Sequence, residues 1–196
     1  VTTNLQLSYD KKFGGHTIAA VVGAETIKRD TPSIWVHSIP ISNALRLIDN
    51  ETMDTYDDTG NNTQARLGYM GRFNYDFAGK YLLELSGRYD GSWKFPPDHR
   101  WGFFPSASAG WRISEENFWQ ESKMSDIFSD LKLRASYGLL GDDNVSGYSA
   151  FDYLSGYTYK NGGSVIDGKY TIGTAPRGLP VTTLSWIKAK ILDVGI

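Results

Sequence analysis

The feature that most constrains this chain is a two-residue alternation over residues 65–77. The odd positions from Ala65 to Phe77 are small, aliphatic or aromatic, whereas the even positions between them are mostly polar or charged. Because successive side chains of a β-strand point to opposite faces, this pattern predicts a strand with one apolar, aromatic face and one polar face.

Six further runs resemble this one. The alternation is clear over residues 81–90, 106–113 and 131–138, and weaker over 5–13, 16–27 and 186–196. In the last run the faces are mixed, because Lys188 and Lys190 fall on the same side as Trp186. We therefore predict an all-β, antiparallel chain of seven strands.

The predicted connections alternate between short and long. Residues 12–15 and 78–79 are tight turns, whereas residues 29–62, 91–102 and roughly 140–184 are long, polar and rich in Gly, Pro or Asn. The connection at residues 114–130 is longer and partly helical in pattern, with Ser114 expected to cap a helix before Glu115 and Glu116. Asp167-Gly168 predicts a hairpin within the last loop.

Short turns at one end and long loops at the other are typical of an outer-membrane β-barrel. Aromatic residues near the strand ends of the apolar face fit its interfacial girdles, and charged residues on the other face would be costly in a dry core. The residues expected to face an aqueous lumen are Arg66, Arg72, Glu84, Arg88, Arg112 and Arg134. A soluble carbohydrate-binding β-sandwich shares the alternation and is the alternative.

The composition excludes several other classes. The chain has 196 residues, no cysteine and a formal net charge of −2. It therefore has no disulfides or thiolate metal sites and no electrostatic case for binding nucleic acid. No apolar run approaches the ~18 residues of a membrane-spanning helix, so any membrane crossing depends on strands. The chain starts at Val1 without a targeting signal and stops at Ile196 within a strand-like run, so we expect an internal fragment.

Several blocks of sequence resemble one known family. The blocks are residues 71–83 (GRFNYDFAGKYLL), 88–92 (RYDGS), Phe95, 100–106 (RWGFFPS), 110–116 (GWRISEE) and 131–138 (LKLRASYG). Their order and spacing resemble the SusC/RagA family of TonB-dependent transporters. The resemblance is close over residues 64–144 and looser in the flanks, including residues 184–186.

The resemblance implies a transmembrane barrel of 22 strands with an N-terminal plug. Residues 1–196 would form part of that barrel domain, without the plug, the TonB box or the remaining strands. It also implies a bacterial outer-membrane importer of oligosaccharides or peptides, glycans being favoured. The implied partners are a SusD-like surface lipoprotein, outer-membrane lipid and the TonB complex, reached through the absent plug.

Aromatic side chains in the long connections are the candidates for contact with a substrate or with the lipoprotein. They are Trp35, Trp93, Trp101, Tyr148, Tyr153 and Tyr157. Asp90-Gly91-Ser92 is a candidate sugar-contacting loop or else a simple turn. The alternative for the aromatic residues is packing of the loops on one another and anchoring at the membrane interface.

No catalytic site or cofactor is predicted. Asp54, Asp57 and Asp58 form a weak calcium candidate, for which a solvated acidic loop is the alternative, as it is for Asp142-Asp143-Asn144. Glu115-Glu116 does not have the facing geometry that two glycosidase carboxylates need. The lumenal arginines are open to three roles: lining a substrate path, pairing with the plug, or pairing across strands with Glu84, Asp76 and Asp90.

Overall fold

The chain forms nine β-strands and very little helix in a computed structural model that describes residues 1–39, 53–123 and 125–196. The strands are β1 (Thr2–Phe13), β2 (His16–Ser38), β3 (Met53–Phe77), β4 (Tyr81–Ser92), β5 (Trp101–Arg112), β6 (Lys132–Asp142), β7 (Tyr157–Ile166), β8 (Lys169–Pro176) and β9 (Ile187–Gly195). Two single 3-10 turns (Pro97–His99 and Ile113–Glu115) and one α-helical turn, α1 (Asn117–Gln120), lie in the connections. None of the helices in these ranges is long and apolar enough to cross a membrane.

Seven strands form one antiparallel sheet in the order β1-β2-β3-β4-β5-β6-β9. This confirms the prediction of a seven-stranded antiparallel segment. The tight turn predicted at residues 12–15 is present at Gly14-Gly15, and the one predicted at residues 78–79 is present with positive φ at both Ala78 and Gly79, as in type I′ hairpin turns. The predicted hairpin around Asp167-Gly168 is also present as the separate pair β7-β8.

The register places all the alternating apolar positions on one face of the sheet, hereafter the apolar face. Phe73 pairs with Leu85 and Tyr75 with Leu83, while on the opposite, polar face Asn74 pairs with Glu84. Phe73, Leu83 and Leu85 remain 37%, 38% and 45% exposed, and within the described ranges no second sheet covers them. A sandwich would bury these side chains against another layer, so the sandwich alternative is wrong.

The sheet curls around its polar face. A single cleft of about 760 Å³ is lined by Gln6 of β1 at one edge and Ile191 of β9 at the other, with residues of every strand between them. Seven strands spaced about 4.8 Å apart would hold these edges about 29 Å apart in a flat sheet. The sheet therefore curves as the wall of a barrel does, with its polar face on the concave side.

Aromatic rings gather at the two ends of the apolar face. At the end with the tight turns, called the turn end, neighbouring strands place rings in direct register in the order Phe13, His16, Phe77, Tyr81, Trp111. At the opposite loop end, Trp101 stacks on Tyr69 and Tyr89 at 6.2 and 4.8 Å between ring centroids.

The spacing of the two aromatic rows matches a membrane. Trp101 and Trp111 are ten residues apart on β5, about 33 Å along the strand and about 25 Å along the membrane normal at a tilt of about 40°. The apolar band of an outer-membrane barrel is about 25 Å tall. The aromatic rows thus have the spacing of the two interfacial girdles.

Two expectations about the connections were wrong. Residues 29–38 and 53–62 belong to β2 and β3, which continue as a two-stranded ribbon beyond the edges of β1 and β4. Residues 28–35 of β2 are exposed, so no apolar alternation is needed there, and Pro32 is tolerated because β2 has a partner on one side only in this ribbon. Ser114 is not a helix cap, since it lies within a 3-10 turn and its Oγ donates to Asp130 Oδ1 at 3.1 Å.

Candidate functional site

The polar face carries a network of ion pairs centred on Arg88. The Arg88 guanidinium donates through Nε and Nη2 to the two oxygens of Asp90, at 3.1 and 2.9 Å, and Nη2 lies 3.5 Å from Glu25 Oε2. Glu25 is on β2 and Arg88 is on β4, so the network crosses β3. It crosses at Gly68, where a Cβ would collide with Asp90 and approach Arg88 Nη2 to 3.1 Å. Gly68 therefore provides the space through which charge pairs connect three strands.

The six residues expected to face a lumen all fall on the polar face by strand register. Arg72 lies 3.9 Å from Glu84, and Arg134 lies 4.0 Å from Asp193, both as exposed pairs. Such pairs contribute little stability individually, so their main effect is to keep charge on this face. That the face lines an aqueous lumen stays a prediction.

The strongest polar cluster surrounds Asp143, whose side chain is only 5% exposed. Asp143 Oδ1 accepts from Arg66 Nη2 at 2.7 Å, and Oδ2 accepts from Ser92 Oγ at 2.8 Å. Lys94 Nζ lies 3.6 Å from Oδ1 and donates to the Asp143 backbone carbonyl at 3.3 Å. A buried carboxylate is stable only when it is paired and hydrogen-bonded, and this cluster ties the connection after β4 to the end of β6.

Beside this cluster lies the small hydrophobic core of the described chain, hereafter the loop-end core. Its buried hydrophobic residues are Phe95, Phe104 and Leu184, at 0%, 8% and 6% exposure. Trp186 packs edge-on against Phe95 and Phe104, and its Nε1 donates to the Arg100 carbonyl at 2.9 Å. The loop-end core thus holds residues 92–104 and 184–186 together across the end of the sheet.

Two predictions about loop residues were wrong. Asp90-Gly91-Ser92 is not a loop tip but the end of β4, where Asp90 is held by Arg88 and Ser92 is fully buried. Asp143 is not a solvated loop carboxylate, because its side chain is 5% exposed and Arg66 and Lys94 neutralise it.

The structure brings two of the six aromatic candidates together. Trp93 contacts Phe151 edge-on at 5.1 Å, and Tyr153 lies 6.2 Å from the same Phe151 ring. Trp93 Nε1 is buried and has no hydrogen-bond partner among the described residues. A buried indole N–H normally finds an acceptor, so this cluster has an unused donor beside an aromatic surface.

The other four candidates are dispersed. Trp101 lies on the apolar face in the loop-end aromatic row, which favours interfacial anchoring over substrate contact. Trp35 is 53% exposed and stacks on His37 in the β2–β3 ribbon. Tyr148 and Tyr157 are 50% and 73% exposed in the connection between β6 and β7 and at the start of β7.

The weak calcium candidates lie outside the part of the chain whose side chains the structure describes. Asp54, Asp57 and Asp58 fall on β3, and calcium binding by them stays a prediction. Elsewhere, within the described residues, no group of three metal-ligating side chains is present.

At the turn end, Glu116 forms a second carboxylate cluster. Its Oε1 accepts from Tyr81 Oη at 2.7 Å and from Trp111 Nε1 at 3.1 Å, and its Oε2 accepts from Lys80 Nζ at 3.1 Å. These bonds from Tyr81, Lys80 and Trp111 hold the pKa of the Glu116 carboxyl below its ordinary value. The cluster fixes the connection after β5 against two rings of the turn-end aromatic row.

Comparison with known proteins identifies the family. The family model described as TonB dependent receptor-like, beta-barrel matches residues 1–196. The chain belongs to this family. It is 42% identical to the TonB-dependent receptor SusC of Bacteroides thetaiotaomicron over 95 residues, which are 48% of this chain and 9% of SusC. It is 32% identical to the TonB-dependent receptor P26 of Formosa agariphila over 203 residues, covering 97% of this chain and 19% of P26.

Solved structures agree on the fold of this TonB-dependent receptor barrel segment. The RagAB peptide importer in its closed-closed state matches 98% of the chain with a TM-score of 0.78 and 23% identity, over 21% of the importer chain. The open-open state matches with a TM-score of 0.72 and 25% identity, covering 99% of this chain and 20% of that one. The resemblance to the SusC/RagA family is thus confirmed, as is the location in a bacterial outer membrane. The chain spans about a fifth or less of the length of these relatives.

Sequence reasoning missed the structural roles of several residues that organise this receptor barrel. From the sequence, Asp143 and Glu116 are candidates only as a calcium ligand and as part of a carboxylate pair, because a carboxylate gives no sign of partners that are distant in the sequence. A usable signal is present for the loop-end core: Gly102 and Gly141 leave no room for a Cβ beside the ring of Phe104. Glycines opposite an aromatic residue indicate that a ring packs across the strands.

Proposed function

We propose that this chain is part of the single barrel domain of a TonB-dependent importer that brings bulky nutrients through a bacterial outer membrane. The remaining strands, completing a barrel of about 22, and the plug inside it lie elsewhere in the same protein. The proposal assigns transport rather than catalysis, in keeping with relatives that are TonB-dependent receptors.

The observation that carries the proposal is the contrast between the faces of one sheet. The apolar face has an uncovered band between two aromatic rows, while the polar face is curved inward and bears paired charges. This arrangement fits a wall that has hydrocarbon on one side and water or a hydrated plug on the other. The ion-paired residues of the polar face would then contact the plug through which TonB acts.

The loop end supports an assembly with a SusD-like surface lipoprotein. The β2–β3 ribbon continues about ten residues beyond the neighbouring strands, which is about 33 Å of extended chain. It exposes Ile34 and Trp35 at 74% and 53%. A projecting ribbon with exposed apolar groups suits a protein contact above the membrane.

Glycans are the cargo we favour, on the basis of the Trp93 cluster. Aromatic faces stack on pyranose rings, and Trp93 and Tyr153 lie beside Phe151, which is 41% exposed and offers such a face. The RagAB relatives are described as peptide importers, so peptides are the alternative cargo.

The transport proposal is tested by uptake in cells that carry the complete protein. Fluorescent neutral oligosaccharides and a fluorescent mixture of short peptides are supplied to a deletion strain and to the complemented strain. We expect uptake to require both the gene and the proton-motive force. Equal uptake in the deleted and complemented strains for both cargo classes would overturn the importer proposal.

The choice of cargo is tested separately with the purified complete protein. We expect Trp93→Ala to weaken oligosaccharide binding about tenfold, equivalent to about 1.4 kcal/mol. Trp101→Phe, which changes an aromatic residue on the apolar face, is the matched control and should bind normally. Binding of peptides but not oligosaccharides would reverse the cargo assignment and leave the importer assignment intact.

A further inference from the structure

The connection between β5 and β6 is a folded unit that presents apolar side chains to solvent. Residues 113–123 and 125–131, hereafter the foot, include the 3-10 turn Ile113–Glu115 and α1. Phe118, Ile127 and Phe128 of the foot are 60%, 74% and 54% exposed. Three large apolar side chains are thus left open in one short segment.

The foot is held in shape by its own hydrogen bonds. Trp119 Nε1 donates to the Phe128 carbonyl at 3.4 Å, which brings the two halves of the foot together. Ser122 Oγ and Ser125 Oγ donate to the carbonyls of Trp119 and Ser122, each at 2.7 Å. At its base, Ser114 Oγ bonds to Asp130 Oδ1. The exposed apolar groups therefore belong to an ordered surface.

Glu116 fixes the side of the sheet on which the foot lies. The Tyr81 and Trp111 rings belong to the apolar face and stack on each other at 6.4 Å. Their polar atoms both bond to Glu116 Oε1. The foot consequently passes beside the outward-facing aromatic row, and Phe118 follows Glu116 by only two residues.

The depth of this contact is that of a lipid headgroup. Tyr and Trp in an interfacial girdle keep their rings against the acyl chains and their polar atoms in the headgroup layer. A carboxylate bonded to those polar atoms occupies the same layer. The foot is therefore attached, through Glu116, where the membrane-facing surface of the barrel meets the headgroup layer.

We propose that the foot is a membrane-seating element that inserts Phe118, Ile127 and Phe128 into the phospholipid leaflet at the turn end of the barrel. The occupant of this surface is phospholipid with zwitterionic headgroups. The foot carries Glu115, Glu116, Glu121, Asp126 and Asp130 against a single cation, Lys123, so attraction to anionic lipid does not drive insertion. Burial of apolar surface does, at shallow depth.

Site-directed spin labelling of the complete protein in phosphatidylcholine vesicles tests this. Residues 1–196 contain no cysteine, so Phe118→Cys and Phe128→Cys introduce labelling sites at exposed positions, with Lys123→Cys as the polar control in the same foot. Collision of the nitroxide with oxygen, which concentrates in lipid, is compared with collision with a water-soluble nickel chelate. We expect an oxygen-to-nickel ratio at 118 and 128 at least about threefold above that at 123.

Two results would overturn the proposal. Nickel accessibility at 118 and 128 equal to that at 123 would place the foot in water. Low accessibility to both reagents at these positions would indicate burial against protein, such as the plug or a neighbouring turn.

A second pair of variants tests the role of Glu116 in seating the foot. Glu116→Gln keeps a carbonyl oxygen that accepts from Tyr81 and Trp111, whereas Glu116→Ala removes the acceptor. We expect the label at 118 to retain its lipid exposure in the Gln background and to shift toward water in the Ala background. An identical shift in both backgrounds, or in neither, would contradict the assigned contact.

Discussion

Leu85 and Arg88 are three residues apart on β4, and both are exposed, Leu85 at 45% for the whole residue and Arg88 at 45% for its side chain. Leu85 lies on the apolar face, midway between Tyr81 and Tyr89 of the two aromatic rows, and Arg88 lies on the polar face among carboxylates. Because an apolar and a charged side chain are both exposed on one strand, burial alone does not describe this sheet. Each face is matched to its own solvent.

The two carboxylate clusters follow the same division. Asp143, at the loop end of the polar face, is buried and neutralised by two cations. Glu116, beside the apolar face, accepts from a phenol, an indole and one ammonium group. The polar face thus stabilises its carboxylate mainly by charge, and the apolar face mainly by the polar atoms of girdle residues.

The largest effect is expected from exchanging the chemistry of the two faces. Leu85→Arg should destabilise the complete barrel in vesicles by about 2–4 kcal/mol, because a cation near the bilayer midplane is costly. The matched control is Ser86→Arg, which adds the same group to the polar face. Reversible unfolding in urea measures the unfolding free energy of both variants. Equal losses of unfolding free energy would contradict the assignment of one face to lipid and the other to water.

Removal of the buried carboxylate should have the next largest effect. Asp143→Ala leaves Arg66 and Lys94 without their partner and Ser92 without its acceptor, which should cost about 2 kcal/mol because Arg66 can partly rehydrate. Asp143→Asn retains an acceptor for Ser92 and should lose less. If the Ala and Asn variants unfold like the parent protein, Asp143 does not hold the loop end.

A smaller effect is expected from filling the crossing point of the charge network. Gly68→Ala places a Cβ against Asp90 and Arg88, which should cost about 1 kcal/mol through overpacking. Gly71→Ala is the control, since Gly71 lies on the apolar face of the same strand and a methyl group added there would have nothing within 4 Å. A larger loss for Gly71→Ala than for Gly68→Ala would refute the role assigned to Gly68.

The smallest effect concerns Glu116 and depends on pH. Because its folded pKa is lowered, the ionised carboxylate stabilises the fold above the ordinary glutamate pKa of 4.5, and this contribution is lost as pH falls through the lower folded value. At about pH 7 the Glu116→Gln variant should therefore have a slightly lower melting temperature than the parent protein, and this difference in melting temperature should vanish in acid. A difference that grows on acidification would contradict the sign of the shift.

The sequence predicts the structure best in strands that have lipid on one face and water on the other. The alternation over residues 65–77 correctly predicts the strand and its apolar and polar faces, because every second side chain must suit a different medium. The β2–β3 ribbon lacks this alternation, so the sequence gives no sign that residues 29–38 and 53–62 form strands rather than a loop.

The cluster around Asp143 could not be predicted from the sequence, for a different reason. Asp143 and Arg66 are 77 residues apart in sequence, and whether their charges meet depends on strand order and curvature. Taken singly, Asp143 is predicted to be a solvated loop carboxylate and Arg66 a cation that faces the lumen. The place of Trp101 on the apolar face, rather than in a loop, depends on its register with Gly91, which sequence alone does not fix.

The tight turns have a consequence for the assembly of the barrel. Gly14-Gly15 and Ala78-Gly79 join strands whose first paired residues are separated by only a few positions. The pairs β1–β2 and β3–β4 can therefore form with little loss of chain entropy. The pairing of β6 with β9 must instead bring together segments separated by more than forty residues. We therefore expect nascent hairpins to form early on the path into the membrane, with the β6–β9 seam closing late.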